Sequence, residues 1–317
     1  TTVLALQAFA ETPADLCVIE VGLGGRFDAT NIFDAPAVSV ITPVDYDHLE
    51  MLGPELSKIA WEKAGIIKAH RPVVCARQRD EALSVIEAEA EARGAPLTLV
   101  GRDADIWRER GRLMVQAGDR LLDLPPPALP GPHQFDNAGL AVLALLALGD
   151  PRITEDALAR GVGSATWPGR FQRLKEGPLG RLAADRGSDL WLDGAHNPHG
   201  AEALARTCAE MAARDGRPLV LVVGQFARKD PRGFFAAFRD LPLKVVATTF
   251  DSPTALQPEA LAEAARAEGL PVETAPDVSA AVALALSAEG PPPRVVICGG
   301  LHFAGEVLAL SPETWPT

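Results

Sequence analysis

The chain has 317 residues, 47% hydrophobic and 23% charged, the balance of a soluble globular protein of about two domains. No apolar run reaches the roughly 18 residues of a membrane span, and no basic n-region of a secretory signal opens the chain. A net charge of −12 argues against broad nucleic-acid binding, which needs a basic surface, but leaves local sites for anionic substrates open. Cys17, Cys75, Cys208 and Cys298 are far apart and form no CxxC pair. They are expected to be small buried hydrophobes in a reducing, cytoplasmic compartment, and neither zinc nor a disulfide framework is expected. The chain does not begin with Met, so a fragment or a processed product is expected.

Strand-like and helix-like patterns alternate along most of the chain. Apolar runs at 16–21, 37–41 and 72–75 read as strands, with helices at 54–65 and 80–93. This rhythm predicts a mainly parallel sheet with helices on its faces. Residues 103–124 carry apolar positions around turns at Gly111 and Gly118 and read as a small antiparallel excursion. Prolines at 125–132 break regular structure before an Ala/Leu-rich helix at 133–148. The alternation restarts after residue 167, with strands at 190–192, 219–223, 244–247 and 294–298. Helices fit at 198–214, 258–268 and 278–288. The expected domains are 1–167 and 168–317.

Four segments could carry chemistry. In EVGLGGRFDATN, Glu20 ends a strand candidate and a Gly-rich turn follows; ligands bind at that end of open α/β sheets. A plain tight turn with an exposed Glu20 explains the spacing equally well. A Rossmann loop fits poorly, because Phe27 occupies the third glycine position. In DHLEMLG, His48 follows the next strand and could share a divalent metal with Glu20, although a hydrogen-bonded structural histidine is the plainer reading and magnesium prefers oxygen. In EKAGIIK, spacing alone makes Lys63 half of a surface Glu–Lys pair. In LDGAHNP, Asp193 ends a strand, Asn197 fits a helix N-cap and Pro198 the first turn. Asp193 could accept from ribose hydroxyls and His196 could approach a phosphate near the helix N-terminus; an ordinary βα turn accounts for the same residues.

Taken together and in order, EVGLGGRFDATN, DHLEMLG, EKAGIIK, HQFDN, WPGRFQ and LDGAHNP resemble the folylpolyglutamate synthase and dihydrofolate synthase family, within the Mur-ligase-like ATP-dependent amide ligases. The likeness is densest over 17–74 and 167–201. It implies an α/β fold: an incomplete P-loop-type ATPase domain with a mainly parallel sheet, then a Rossmann-like C-terminal domain. It implies a ligase that adds L-glutamate to dihydropteroate, to the γ-carboxylate of a reduced folate, or to both, using ATP and Mg2+ through an acyl phosphate. By position, Glu20 and His48 resemble magnesium ligands. Lys63 matches a lysine that is carbamylated in the family, whose added carboxylate helps hold a second magnesium. Asn137, beside His133 and Gln134, resembles an adenine contact, Arg170 a phosphate contact, and Asp193 a ribose contact, with His196 on the phosphate or glutamate side. Lys229, Asp230 and His302 fall in segments similar to later family segments, without a defined role. A cytoplasmic monomer with no nucleic-acid or membrane partner is expected.

The family's GTNGKGS-type phosphate loop is absent from these residues. About 100 further residues are therefore expected ahead of Thr1, judged from typical domain size. A fragment of a full enzyme and a shortened gene product both fit. The latter would hydrolyse ATP poorly and leave a sheet edge and part of a core uncovered. A Mur-type cell-wall peptide ligase and a non-catalytic remnant are the alternatives.

Overall fold

The computed structural model describes residues 1–47, 49–287 and 290–314. The chain divides into two units: residues 1–126 with 135–163, and residues 127–134 with 164–317.

The first unit opens with α1 (Thr2–Glu11), none of whose residues is buried. The run at 16–21, expected to be a strand, belongs to no sheet, and its Val18 is 92% exposed. A strand of parallel-sheet composition needs hydrogen-bonding neighbours and covered faces. No described strand pairs with this run. Cys17, expected to be buried, is exposed for the same reason.

A three-stranded parallel sheet follows, in the order β1 (Ser39–Ile41), β2 (Val73–Cys75), β3 (Leu97–Leu99). Between β1 and β2 lie α2 (Leu49–Leu52) and α3 (Leu56–Ala64), and between β2 and β3 lies α4 (Asp80–Ala92). Leu56, Ile59, Ala60 and Ala64 of α3 recur at helical spacing and are buried together with Ala82, Ile86 and Ala90 of α4. Asp80 and Glu81 in the first turn of α4 suit its positive end.

The expected excursion is an antiparallel meander of β4 (Ala104–Glu109), β5 (Arg112–Ala117) and β6 (Arg120–Leu124). Gly111 and Gly118 turn it at φ +80° and +55°, a region where side chains are disfavoured. Ile106, Leu113, Val115, Leu122 and Leu124 form its buried face with residues of α5 (His133–Ala147) and α6 (Glu155–Ser164).

The second unit is built on a six-stranded sheet. Its strands are β7 (Gln172–Arg173), β8 (Asp189–Leu192), β9 (Leu219–Val223), β10 (Leu243–Ala247), β11 (Val272–Thr274) and β12 (Arg294–Cys298). The order across the sheet is β11-β10-β9-β12-β8-β7, parallel except for β7. Its helices are α7 (Gly177–Asp185), α8 (Pro198–Asp215), α9 (Pro231–Ala236), α10 (Pro258–Ala267), α11 (Val278–Leu286) and α12 (Leu301–Ala309). Successive residues of the central strands pack on opposite faces. Leu219, Leu221 and Val223 join Leu204, Phe234 and Leu261 in one core, whereas Val220 and Val222 join Leu179, Val282 and Phe303 in the other. Both units are α/β, and no described helix is long and apolar enough to cross a membrane.

Candidate functional site

In the first unit the Gly-rich segment folds around Asp28. Its Oδ2 accepts the Leu23 N–H at 2.9 Å, and its Oδ1 accepts the Thr30 N–H and hydroxyl at 2.9 and 2.6 Å. Burial pushes this carboxyl up, but the bonds from Thr30, Leu23 and Gly22 outweigh it and hold it below the usual carboxylate range. Asp28 also faces an open hollow of about 300 Å3 with apolar walls of Leu23, Phe27, Met51 and Leu52 and a second acid, Glu62.

Lys63 sits in the last turn of α3, half-buried. Burial lowers its ammonium pKa, against the opposing charge of Asp47. Such an amine is more readily neutral, the form that can attack carbon dioxide. Glu20 stands exposed outside any strand, so the expected placement of its carboxylate at a sheet edge does not occur. His48 lies outside the described residues. Among the described residues no group of three His, Cys, Asp or Glu gathers as a metal cluster. Asp47, whose charge acts on Lys63, offers oxygens of the kind a hard cation prefers, and a carbamylated Lys63 would add two more. Asn137 lies exposed on α5.

In the second unit the β8–α8 turn draws three segments together. The Asp193 N–H donates to Ile297 O at 2.9 Å, which continues the sheet pattern past β8. Its Oδ2 accepts the Phe171 N–H at 2.9 Å and its Oδ1 the Ala195 N–H at 2.8 Å. Desolvation raises the Asp193 pKa, partly offset by these two bonds and by Arg170 and His196. The Gly194 N–H donates to Gly169 O at 2.7 Å. A Cβ on Gly194 would stand 2.8 Å from an Arg170 guanidinium nitrogen, so a side chain there would displace the arginine from the turn. Phe171 adopts φ +47°, held by that bond to Asp193 and by stacking on Trp191 at 4.7 Å. The structure thus joins Arg170 and Asp193, predicted from separate motifs. His196 Nδ1 lies 3.0 Å from Gly194 O, and Asn197 caps α8 by accepting the Gly200 N–H at 2.8 Å, with Pro198 at N1.

His133 is tied to the same unit. Burial, then the positive charges of Arg206, Arg170 and His199, lower its pKa to about 4. Its Nδ1 is buried and unpartnered. Lys229 precedes Asp230, which caps α9 by accepting from Gly233 N. His302, in the first turn of α12, packs its ring 5.4 Å from Phe226 and 5.5 Å from Phe250. Sequence reasoning passed over Asp28, Gln225 and Thr248. The last two are fully buried just beyond β9 and β10, and Gln225 Oε1 and Thr248 Oγ1 lack a partner. Thr248 directly follows β10 and Gln225 follows β9 after one glycine; a polar residue so close to the C-terminal end of a largely apolar strand was the available signal.

The family described as Mur ligase, glutamate ligase domain matches residues 169–301. The dihydrofolate synthase/folylpolyglutamate synthase of Mycobacterium tuberculosis is 36% identical over 288 residues, 83% of this chain and 55% of that protein. The chain therefore spans about half the length of this relative. The Bacillus subtilis protein of the same name is 31% identical over 315 residues, 96% of this chain and 70% of that one. The structure of Mycobacterium tuberculosis folylpolyglutamate synthase complexed with ADP and AMPPCP superposes with a TM-score of 0.84 at 35% identity, over 98% of this chain and 71% of that chain. A bifunctional folylpolyglutamate synthase/dihydrofolate synthase with Mn, AMPPNP and L-glutamate bound gives 0.81 at 31% identity, over 97% and 70%. Sequence and fold agree over nearly all of these residues: the chain belongs to the dihydrofolate synthase/folylpolyglutamate synthase family.

Proposed function

We propose that the protein is an ATP-dependent ligase that joins the amine of L-glutamate to the carboxylate of dihydropteroate, to the γ-carboxylate of a reduced folate, or to both. The reading rests on the Asp193 turn, where one carboxylate orders both the Ala195 amide and the Phe171 backbone beside Arg170. A carboxylate is a poor electrophile, so the γ-phosphoryl group of ATP passes to it first, releasing ADP. The glutamate amine then adds to the acyl phosphate, loses a proton, and phosphate leaves. Arg170 offers a planar fork to phosphoryl oxygens. Asp193, His196 and Asn137 take the ribose, the phosphate or glutamate side, and the adenine. Glu20, His48 and carbamylated Lys63 would hold magnesium, which when bound neutralises charge between the two anions. The expected form is a cytoplasmic monomer.

The 317 residues contain no Gly-Lys-Ser or Gly-Lys-Thr phosphate loop. Turnover is therefore expected from the chain with such a loop supplied ahead of Thr1, and not from these residues alone. The test is ATP-dependent incorporation of labelled glutamate into dihydropteroate, a reduced folate or a UDP-muramoyl peptide. Incorporation into either pteridine acceptor supports the reading; turnover with the sugar nucleotide only would replace it with a cell-wall ligase.

A further inference from the structure

Arg26 belongs to the Gly-rich segment, yet its side chain is directed into the first unit. The guanidinium lies 3.9 Å over the Trp61 ring. Its Nη2 donates to Trp61 O at 3.2 Å and to Glu89 Oε2 at 2.7 Å. The Arg26 and Glu89 side chains are only 16% and 14% exposed. Burial pushes the Glu89 carboxyl up, but bonds from Arg26 and Arg93 outweigh it and hold the group ionised below its usual range. The Arg26 backbone is fixed as well. Its N–H donates to Glu62 O at 2.7 Å, and its carbonyl accepts from Asn31 Nδ2 at 3.0 Å. The same Asn31 nitrogen reaches Gly65 O at 3.1 Å.

The contact leaves no space on either side. A Cβ on Gly65 would fall 2.3 Å from that of Arg26. One on Gly25 would fall 2.7 Å from Glu62 O and 3.2 Å from the Lys63 Cα. The loop is thus laid directly on the turn of α3 that carries Lys63, and Arg26 ties that turn onward to Glu89 of α4. Arg26 Nε is buried without a partner, a cost that a staple serving stability alone would be expected to avoid.

We propose that Arg26 is a positioning residue for Lys63: its stack on Trp61 and its ion pair with Glu89 hold the Asp28 loop and the last turn of α3 as one body, which sets where the Lys63 amine stands. The proposal deepens the ligase reading and rests on Lys63 being the functional amine. Lysine cannot substitute, because an ammonium has neither the planar face for Trp61 nor the geometry to reach Trp61 O and Glu89 together.

The test uses the chain as it stands, labelled with [ε-13C]lysine and given 13C-bicarbonate and magnesium. Lys63→Arg assigns the Lys63 signals. In Arg26→Lys the carbamate resonance is expected to fall at least fivefold, and the Arg26 and Asn31 amides to exchange at least tenfold faster. Trp61→Leu attacks the same stack from an exposed ring and should act alike if Arg26→Lys fails to fold. Arg93→Lys, which weakens another partner of Glu89 without touching the loop, should keep the wild-type signal. A faster-exchanging loop with an unchanged carbamate would overturn the proposal and leave Arg26 a staple. No carbamate in the wild type would refute the Lys63 reading instead. The Lys63 methylene shift then decides for Arg26: displacement in Arg26→Lys supports positioning, and coincidence with wild type rejects it.

Discussion

Lys63 and His133 are both basic side chains that burial discourages from carrying charge, with different consequences. For Lys63 the consequence, under the proposed ligase reading, is reactivity. Lys63→Ala, in the chain supplied with a phosphate loop, should lose at least about 100-fold in kcat with an unchanged circular dichroism spectrum, the size of effect expected when a charge-stabilising group is removed. Near-normal turnover at low bicarbonate would contradict the carbamate role. For His133 the consequence is a pH dependence of stability. Its folded pKa of about 4 lies below the unfolded value near 6.5, so between those limits only the unfolded chain takes up the proton. Stability tied to this group is complete above pH 6.5 and declines as pH falls toward 4, by up to about 1.4 kcal/mol per unit. Urea titrations should show His133→Gln with a flatter acid limb than wild type; parallel limbs would contradict the burial account. Neither property was legible in sequence. The Lys63 environment depends on Asp47 and on a loop folded against α3, and the field at His133 comes from Arg170, His199 and Arg206, which adjoin it only after folding.

At the scale of elements, legibility followed burial pattern and length. The runs at 219–223 and 295–298 read as strands because both their faces are covered, which writes a continuous apolar string. The helices at 80–92 and 198–215 fill several turns and carry clear end signals, and they were read to within a residue or two. Short elements escaped: β7 has two residues, α9 has six, and the nine of α7 include two glycines, all below the window in which periodicity can be counted. The run at 16–21 failed in the opposite direction, because composition cannot supply a pairing neighbour. The β12–α12 turn offers an element-scale prediction. Gly299 has φ +127°, and a Cβ there would stand 2.0 Å from the Gly224 carbonyl oxygen. Gly299→Ala should therefore destabilise the protein by at least about 2 kcal/mol in denaturant titrations. A change within 0.5 kcal/mol would show that the turn is not held as described.

At the scale of the molecule, the alternating pattern and the six motifs in order were enough to reach the α/β class and the family. What the motifs could not convey is that the Phe171 amide beside Arg170 bonds Asp193, or that Arg26 faces inward onto Trp61 and Glu89. Both facts belong to the folded loops rather than to the string. The central claim is chemical: a carboxylate is activated by phosphoryl transfer before glutamate attacks. The most direct measurement is to supply dihydropteroate labelled with 18O in its carboxylate to the chain carrying a phosphate loop, together with ATP and glutamate, and to weigh the inorganic phosphate released. The account predicts one 18O atom transferred into each phosphate. Phosphate free of label, with amide product formed, would contradict it.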